Sequence, residues 1–405
     1  MLPFTDAEAP ALSPPGTVAP RRDLRAELAD ARPKAIRGHV PALDGLRGLA
    51  ILLVMLLHFV GNTTATNGLE RGLVYLTGQG LVGVDLFFVL SGFLITGILF
   101  DSKDEHFFRN FYVRRTLRIF PLYYGVLIVC FIVLPAAGFS TAALDELDQN
   151  QAWLWLYGAN FRHALEGRWA LSYLNHFWSL AIEEHFYLVW PVLVWFTRSR
   201  PTALLWTSLG IAAGSRIAGV VAAAWSPSPT IALMTPFQLQ GIAFGGALAI
   251  LARLPGGADA IGRWTPRVAI GAAAALTGGF VLHRFGGAGE VLFGALRPTL
   301  FILLLACLMS FGVFYPNSLP SQLLRGRMLR FLGTYSYGLY VYHHFVSYYF
   351  LERGTEFALA ERLGSHTVAV LVQATAGFAI SILAAMASYH LYEKRFLALK
   401  DRFAA

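Results

Sequence analysis

About ten apolar stretches, most of them long enough to cross a bilayer, run through this chain and constrain its fold more than any other feature. They lie near residues 43–60, 80–100, 119–139, 178–197, 203–225, 236–252, 267–283, 290–314, 331–351 and 366–389. A spanning helix needs about 20 apolar residues, so most qualify outright and the shorter ones are marginal. The expected architecture is therefore all-α: a polytopic membrane bundle of about ten transmembrane helices. Composition agrees, because only 14% of the residues are charged, against about 25% in an ordinary soluble domain. No long-range repeat relates the stretches, which gives no support to an inverted-repeat transporter.

Residues 1–40 read as a disordered tail, broken by Pro10, Pro14, Pro15, Pro20 and Pro33, with alternating charges and no apolar face. No apolar core follows a basic start there, so it is not a signal peptide. The helical domain is expected over 41–397, with a short tail over 398–405. With ten spans, one side collects Arg21, Arg22, Arg25, Arg32, Lys34 and Arg37, then Lys103, Arg109, Arg114, Arg115 and Arg118. Arg198, Arg200, Arg253, Arg263, Arg267, Arg325, Arg327, Arg330, Lys394, Arg395, Lys400 and Arg402 fall on that side too. Opposite loops are balanced by acid, as at Asp145, Glu146 and Asp148 or Glu352, Glu356 and Glu361. The positive-inside rule then places both termini in the cytoplasm. This distribution accounts for the net charge of +8 as topology, and nucleic acid is not an expected partner. Cys130 and Cys307 each sit in an apolar run and read as small buried hydrophobes.

Ionisable groups inside apolar helices are costly and usually mark function. Arg47 sits near the start of the first span with His58 eleven residues on, about 16 Å along a helix axis. By the deduced topology His58 falls in the outer half of the membrane, as do Asp85 and the Glu183–Glu184 pair. His343 and His344 lie past the midpoint of the ninth span. Ser179, Glu183 and Tyr187 share one helical face. A histidine beside a carboxylate suits general acid–base chemistry, so His58 is a candidate base with Glu183 or Asp85 orienting it. Packing or a proton relay is the plainer account of the same groups. No metal is expected, since adjacent His343 and His344 do not easily face one ion and no HxxxH or HExxH spacing occurs. Neither a GxSxG elbow nor a Walker-type loop is present, and Gly83 and Gly92 read as sites of close helix packing. Arg109, Arg114, Arg115 and Arg118, ahead of Pro121, form either a topological anchor or a phosphate-binding patch.

These segments together resemble the acyltransferase-3 family of bacterial integral-membrane O-acyltransferases. Leu43-Asp44-Gly45-Leu46-Arg47-Gly48, with ten residues between Arg47 and His58, is similar to the family's arginine-to-histidine signature. The run Leu81 to Ile95, through Val84-Asp85-Leu86-Phe87-Phe88, resembles its second-span motif, and Arg114 to Pro121 its arginine-rich entry to the third span. Ser179 with Glu183, Phe186 and Tyr187 corresponds to its fourth-span motif, and Ser336 to Tyr340 with His343 to its late histidine motif. The likeness runs from about residue 40 to the end, and five ordered motifs make it specific. Departures stand at His185, where the family commonly has Gln, and at Thr235 to Gly241, which lacks the family's frequent Arg and Asp. Arg395 also stands where Pro is often seen.

The resemblance implies a domain that moves an acyl group from cytoplasmic acyl-CoA, acetyl-CoA being the expected donor, to a hydroxyl of a cell-envelope or exported glycan. It further implies a multi-pass protein of the bacterial inner membrane. His58 is then the leading catalytic base or acyl relay, joined by Glu183 and Asp85. Arg47, Arg114, Arg115 and Arg118 would hold the CoA phosphates or line the path, and Ser179, Tyr187 and His343 the acceptor. With the chain ending at 405 and no esterase-like domain following, the membrane domain is expected to act alone or with separate partners. A homo-oligomer is left open. Acylation of a glycosylated small metabolite such as a macrolide, or a transporter or flippase activity, are the competing readings. Trp153, Trp155, Trp169 and Trp178 form either an aromatic sugar platform or an interfacial belt.

Overall fold

The computed structural model describes residues 36, 38–102, 105–226, 228–283 and 286–403. The expected tail over 1–40 lies almost wholly outside these residues, as do its arginines and Lys34, together with Lys103. Every described element is a helix or turn, and no strand occurs among the described residues.

The ten apolar stretches all fold as helices. In chain order the principal ones are α1 (Pro41–Leu56), α2 (Val82–Asp101), α3 (Phe107–Ile128), α4 (Phe177–Thr197) and α5 (Pro201–Trp225). They are followed by α6 (Thr235–Leu251), α7 (Gly257–His283), α8 (Ala288–Phe314), α9 (Ser336–Glu352) and α10 (His366–Ser388). Seven helical segments are long and apolar enough to cross a membrane: Pro41–Gly61, Gly68–Asp101, Phe107–Ala136, Pro201–Trp225, Gly257–His283, Gly289–Phe314 and His366–Leu399. The chain is a multi-pass membrane protein. Helices α4, α6 and α9 fall outside the seven. Helix α6 is apolar but short at 17 residues. Helix α9 is likewise short at 17 residues and carries His343 and His344, while α4, long enough at 21 residues, carries Ser179, Glu183, Glu184 and His185, which lower its hydropathy.

Helix α2 runs through the interior, packed on α1, α6 and α8. The α2–α6 crossing is as close as backbones permit: a Cβ on Gly92 would lie 1.8 Å from the Ile242 carbonyl oxygen, and one on Gly245 2.1 Å from that of Val89. Small residues that let backbones meet are the usual basis of helix association in lipid. Gly83 serves likewise against Ala50, so both glycines read from sequence as packing sites are that. At the end of this pair Arg253 grips Asp101 bidentately, at 2.9 and 2.7 Å.

Helix α1 does not end as a regular α-helix. Its last turn, Leu57–Gly61, is π-helical, a local insertion that often accompanies functional side chains. It carries His58. Past α10 the chain continues through a second π-turn, Tyr389–Glu393, a helix Lys394–Leu399 and a 3₁₀ turn Lys400–Phe403. Tyr337 on α9 and Tyr392 donate to the carbonyls of Ile119 and Pro121, docking both elements on α3.

Candidate active site

Two cavities open on either side of a cluster of buried histidines. The first, of about 240 Å³, is lined by Arg47 on α1, Ser91 on α2, Arg115 and Arg118 on α3, Ser179 and Glu183 on α4, Ser336 and Tyr340 on α9, and Lys400. Its remaining wall is apolar, from Phe87, Phe88, Leu90, Leu94, Ile95 and Ile98 among others. Arginines from two helices thus converge on one space, and Lys400, beyond the domain boundary drawn at 397, joins them. Arg114 does not line the cavity, and Arg109 is exposed.

Glu183 is held rigidly in this cavity. Its carboxylate accepts from the Ser91 hydroxyl at 2.7 Å and the Tyr187 hydroxyl at 3.0 Å. The Arg115 guanidinium lies 3.9 Å from the centre of the Tyr187 ring, a cation–π contact that fixes the arginine from behind. Nε of Arg115 is buried without a hydrogen-bond partner. Arg47 pairs with Asp44 at 2.9 Å. One turn from Glu183, Ser179 meets the Tyr340 hydroxyl at 2.5 Å, and Tyr340 also donates to the carbonyl of His176 at 2.8 Å.

Tyr340 borders the histidine cluster. Its ring centre lies 5.3 Å from His176 and 5.6 Å from His343. His58 packs edge-on against both His343, at 4.9 Å, and His344, at 5.0 Å. His176 stacks on His344 at 4.7 Å. Each imidazole touches a backbone carbonyl through one nitrogen. Nδ1 of His58, His343 and His344 faces the carbonyls of Val54, Leu339 and Tyr173 at 2.8, 2.9 and 3.0 Å. For His176 it is Nε2, facing Val341 at 3.2 Å. A carbonyl can only accept, so those nitrogens carry hydrogen, and in the neutral rings the other nitrogen is a bare acceptor. For His343 Nε2 and His176 Nδ1 that bare nitrogen is buried and unpartnered.

The second cavity, of about 140 Å³, opens on the far side of His58 and His344, with Asn62, Tyr348, Glu356 and Gln373 around it. The two cavities share no lining residue. Between them stand the rings of His343, His176 and Tyr340.

The geometry gathers His58 with His343 and His344 and gathers Arg47, Arg115 and Arg118 with Glu183, but it separates the two groups. Glu183 is bonded to Ser91 and Tyr187 in the arginine cavity and is not hydrogen-bonded to His58. Asp85 is half-buried and makes no hydrogen bond or ion pair among the described residues. The orienting partner of His58 is the Val54 carbonyl four residues back, the same contact that His343 makes with Leu339. Ser179 lines the arginine cavity, and Tyr187 backs its carboxylate. His185, the departure from the family pattern, points away: Nδ1 meets Thr235 Oγ1 at 2.7 Å and the ring stacks on Phe161. The tryptophans form no platform. Trp155 stacks on Tyr124, Trp178 meets Phe88 edge-on, Trp169 packs on His163, and none of the four lines either cavity. Sequence reasoning passed over His176 and Tyr340 as site residues, although His176 lies one helical turn before Ser179.

Comparison with known proteins gives the chain a family. The acyltransferase-3 family signature, described as an acyltransferase domain, matches residues 40–390. The peptidoglycan O-acetyltransferase OatA of Listeria monocytogenes is 29% identical over 337 residues, covering 76% of this chain and 49% of that protein. A putative peptidoglycan O-acetyltransferase of Bacillus subtilis, YrhL, is 29% identical over 332 residues, covering 76% and 48%. The O-acetyltransferase OatA of Staphylococcus aureus is 25% identical over 361 residues, covering 78% and 52%. The chain therefore spans about half the length of these curated relatives. No solved structure matches. A signature that covers most of the helical bundle, and with it every residue of the histidine cluster, establishes that this chain belongs to the acyltransferase-3 family.

Proposed function

We propose that this chain is a membrane O-acyltransferase, moving an acetyl group from acetyl-CoA in the cytoplasm to a hydroxyl of a cell-wall glycan on the far side of a bacterial plasma membrane. The observation that carries the reading is the pair of cavities on either side of a histidine cluster, one cationic and one not. Three arginines and Lys400 line a space whose wall holds one carboxylate, Glu183, so cations outnumber anions there and an anionic ligand suits it. Arginine forks match phosphate oxygens, which suits the phosphates of CoA. The basic loops are on this side, so the positive-inside rule makes it the cytoplasmic one and puts both termini there.

The chemistry follows from the fixed tautomer of His58. With hydrogen on Nδ1 committed to Val54, Nε2 is free to take a proton from the acceptor hydroxyl. The oxygen attacks the thioester carbonyl, a C–O bond forms, and the C–S bond breaks. The CoA thiolate that leaves recovers the proton, so the reaction is balanced without a metal or redox partner. Ser179 and Tyr340 stand where the arginine cavity meets the cluster, with the Tyr340 hydroxyl hydrogen given to the His176 carbonyl and that of Ser179 to Tyr340. The peptidoglycan modification in the relatives' names favours a cell-wall glycan as acceptor.

The test is acetyl transfer by purified protein in detergent, with radiolabelled acetyl-CoA and cell-wall glycan fragments. Saturable CoA binding and labelled glycan are expected. A folded protein that neither binds CoA nor consumes acetyl-CoA would sink the reading.

A further inference from the structure

The second cavity has no role assigned to it by sequence motif or by relatives. We infer that it is the acceptor subsite, and that it takes an uncharged, hydroxyl-bearing sugar unit through His58, His344, Asn62 and Gln373. The inference rests on the function proposed above and names where, and with what chemistry, the acceptor binds.

Three observations carry it. First, the cavity presents hydrogen-bond acceptors that the protein does not satisfy. His58 and His344 each donate from Nδ1 to a carbonyl, so each turns a bare Nε2 towards its surroundings, and both residues line this cavity. Gln373, 7% exposed, also lines it and has a buried Oε1 with no partner. A buried acceptor without a donor, as at Gln373, is costly, and sugar hydroxyls are donors.

Second, the lining disfavours an anionic occupant. No lysine or arginine lines the cavity among the described residues. Its one carboxylate, Glu356, is already engaged by the Thr64 amide at 2.8 Å and His366 Nε2 at 2.9 Å. A carboxylate-bearing sugar would find no counter-ion here. An amide, hydroxyls and the faces of Tyr348 and Phe350 instead offer what a neutral pyranose presents, polar edges and an apolar face.

Third, the cavity contains the proposed base. A hydroxyl seated here lies against His58, whereas the arginine cavity does not reach that residue. Donor and acceptor would approach the cluster from opposite sides.

The experiment uses the full chain, purified in detergent, with acetyl-CoA as donor. The neutral probe is an N-acetylglucosamine tetramer and the anionic probe is tetragalacturonate. The neutral oligosaccharide should accelerate acetyl-CoA consumption and the anionic one should not. Gln373→Leu should raise the KM for the neutral probe about tenfold, the loss of one buried hydrogen bond, and Asn62→Ala, at an exposed position, should raise it about threefold, while Kd for CoA stays at the wild-type value in both. A third variant guards against misfolding. Ser347→Cys places a thiol in the cavity, while Cys130 and Cys307 are buried. A methanethiosulfonate reagent should block transfer in it, the neutral probe should protect it, and dithiothreitol should restore it. Unchanged KM in both variants, transfer that survives the blocked thiol, or equal use of tetragalacturonate overturns the inference while leaving the acyltransferase reading intact. Absence of CoA binding and of acetyl-CoA consumption in the wild type overturns both.

Discussion

The arginine cavity and the histidine cavity are built from opposite chemistry though one wall of rings divides them. The first is an apolar shaft with guanidinium groups from α1 and α3 and a carboxylate tied down by Ser91 and Tyr187. The second is a mixed recess of amides, hydroxyls, imidazoles and one carboxylate against Phe350, Leu351 and Phe357, with no lysine or arginine among the described residues that line it. The difference shows how one bundle can tell an anionic, chain-bearing ligand from a neutral, hydroxylated one: each enters a space where the other leaves its charge or its hydroxyls without a partner. It also divides the sequence motifs, which look alike on paper, into two functional sets.

His58→Ala should have the largest effect, since it removes the group that serves the hydroxyl. Transfer should fall by about 10²–10⁴-fold, the range of a positioned general base, with CoA affinity unchanged by titration calorimetry. A matching fall in CoA affinity would break the separation of the two sets. Arg115→Ala and Arg118→Ala come next. Each removes a charge-assisted contact worth about 1.5–3 kcal/mol, so CoA binding should weaken by roughly 10–100-fold, leaving the acceptor KM alone. Glu183→Gln keeps the shape but not the charge, and because Glu183 lies on the arginine side its effect should be a several-fold change in donor KM. A change confined to the acceptor KM would move Glu183 to the other set. Smallest of all is Arg114→Ala, whose side chain does not line the cavity; its CoA affinity should match wild type within error in the same titration.

How far these sets could be read from the residues alone depends on which physical property a residue expresses. Hydropathy located every principal helix, because burial in lipid is written into runs of side chains. Seven helical segments are long and apolar enough to cross a membrane; α6 and α9 are short at 17 residues, and α4 gives up hydropathy to Ser179, Glu183 and Glu184. Spacing brought out Arg47 and His58 and the arginines before Pro121. It could not show that Arg114 turns away while Arg115 and Arg118 turn in, which depends on rotation of α3 about its axis. Nor could it pair His58 with the Val54 carbonyl in place of Glu183 or Asp85, because a side chain turned back onto its own helix is set by its rotamer. His176 was legible in principle as an intramembrane histidine one turn before Ser179. Gln373 was not, since a single amide in an apolar helix matters only once the partnerless Oε1 is seen.

The wall of rings between the cavities has a kinetic consequence. His343 is fully buried and the cavities share no lining residue, so under the proposed function free CoA and free glycan would occupy different ground on the enzyme. Dead-end analogues of one ligand should then inhibit noncompetitively against the other, in random order of addition. On the proposed topology, the donor pool inside the cell and the acceptor pool outside can each set the rate without either ligand displacing the other.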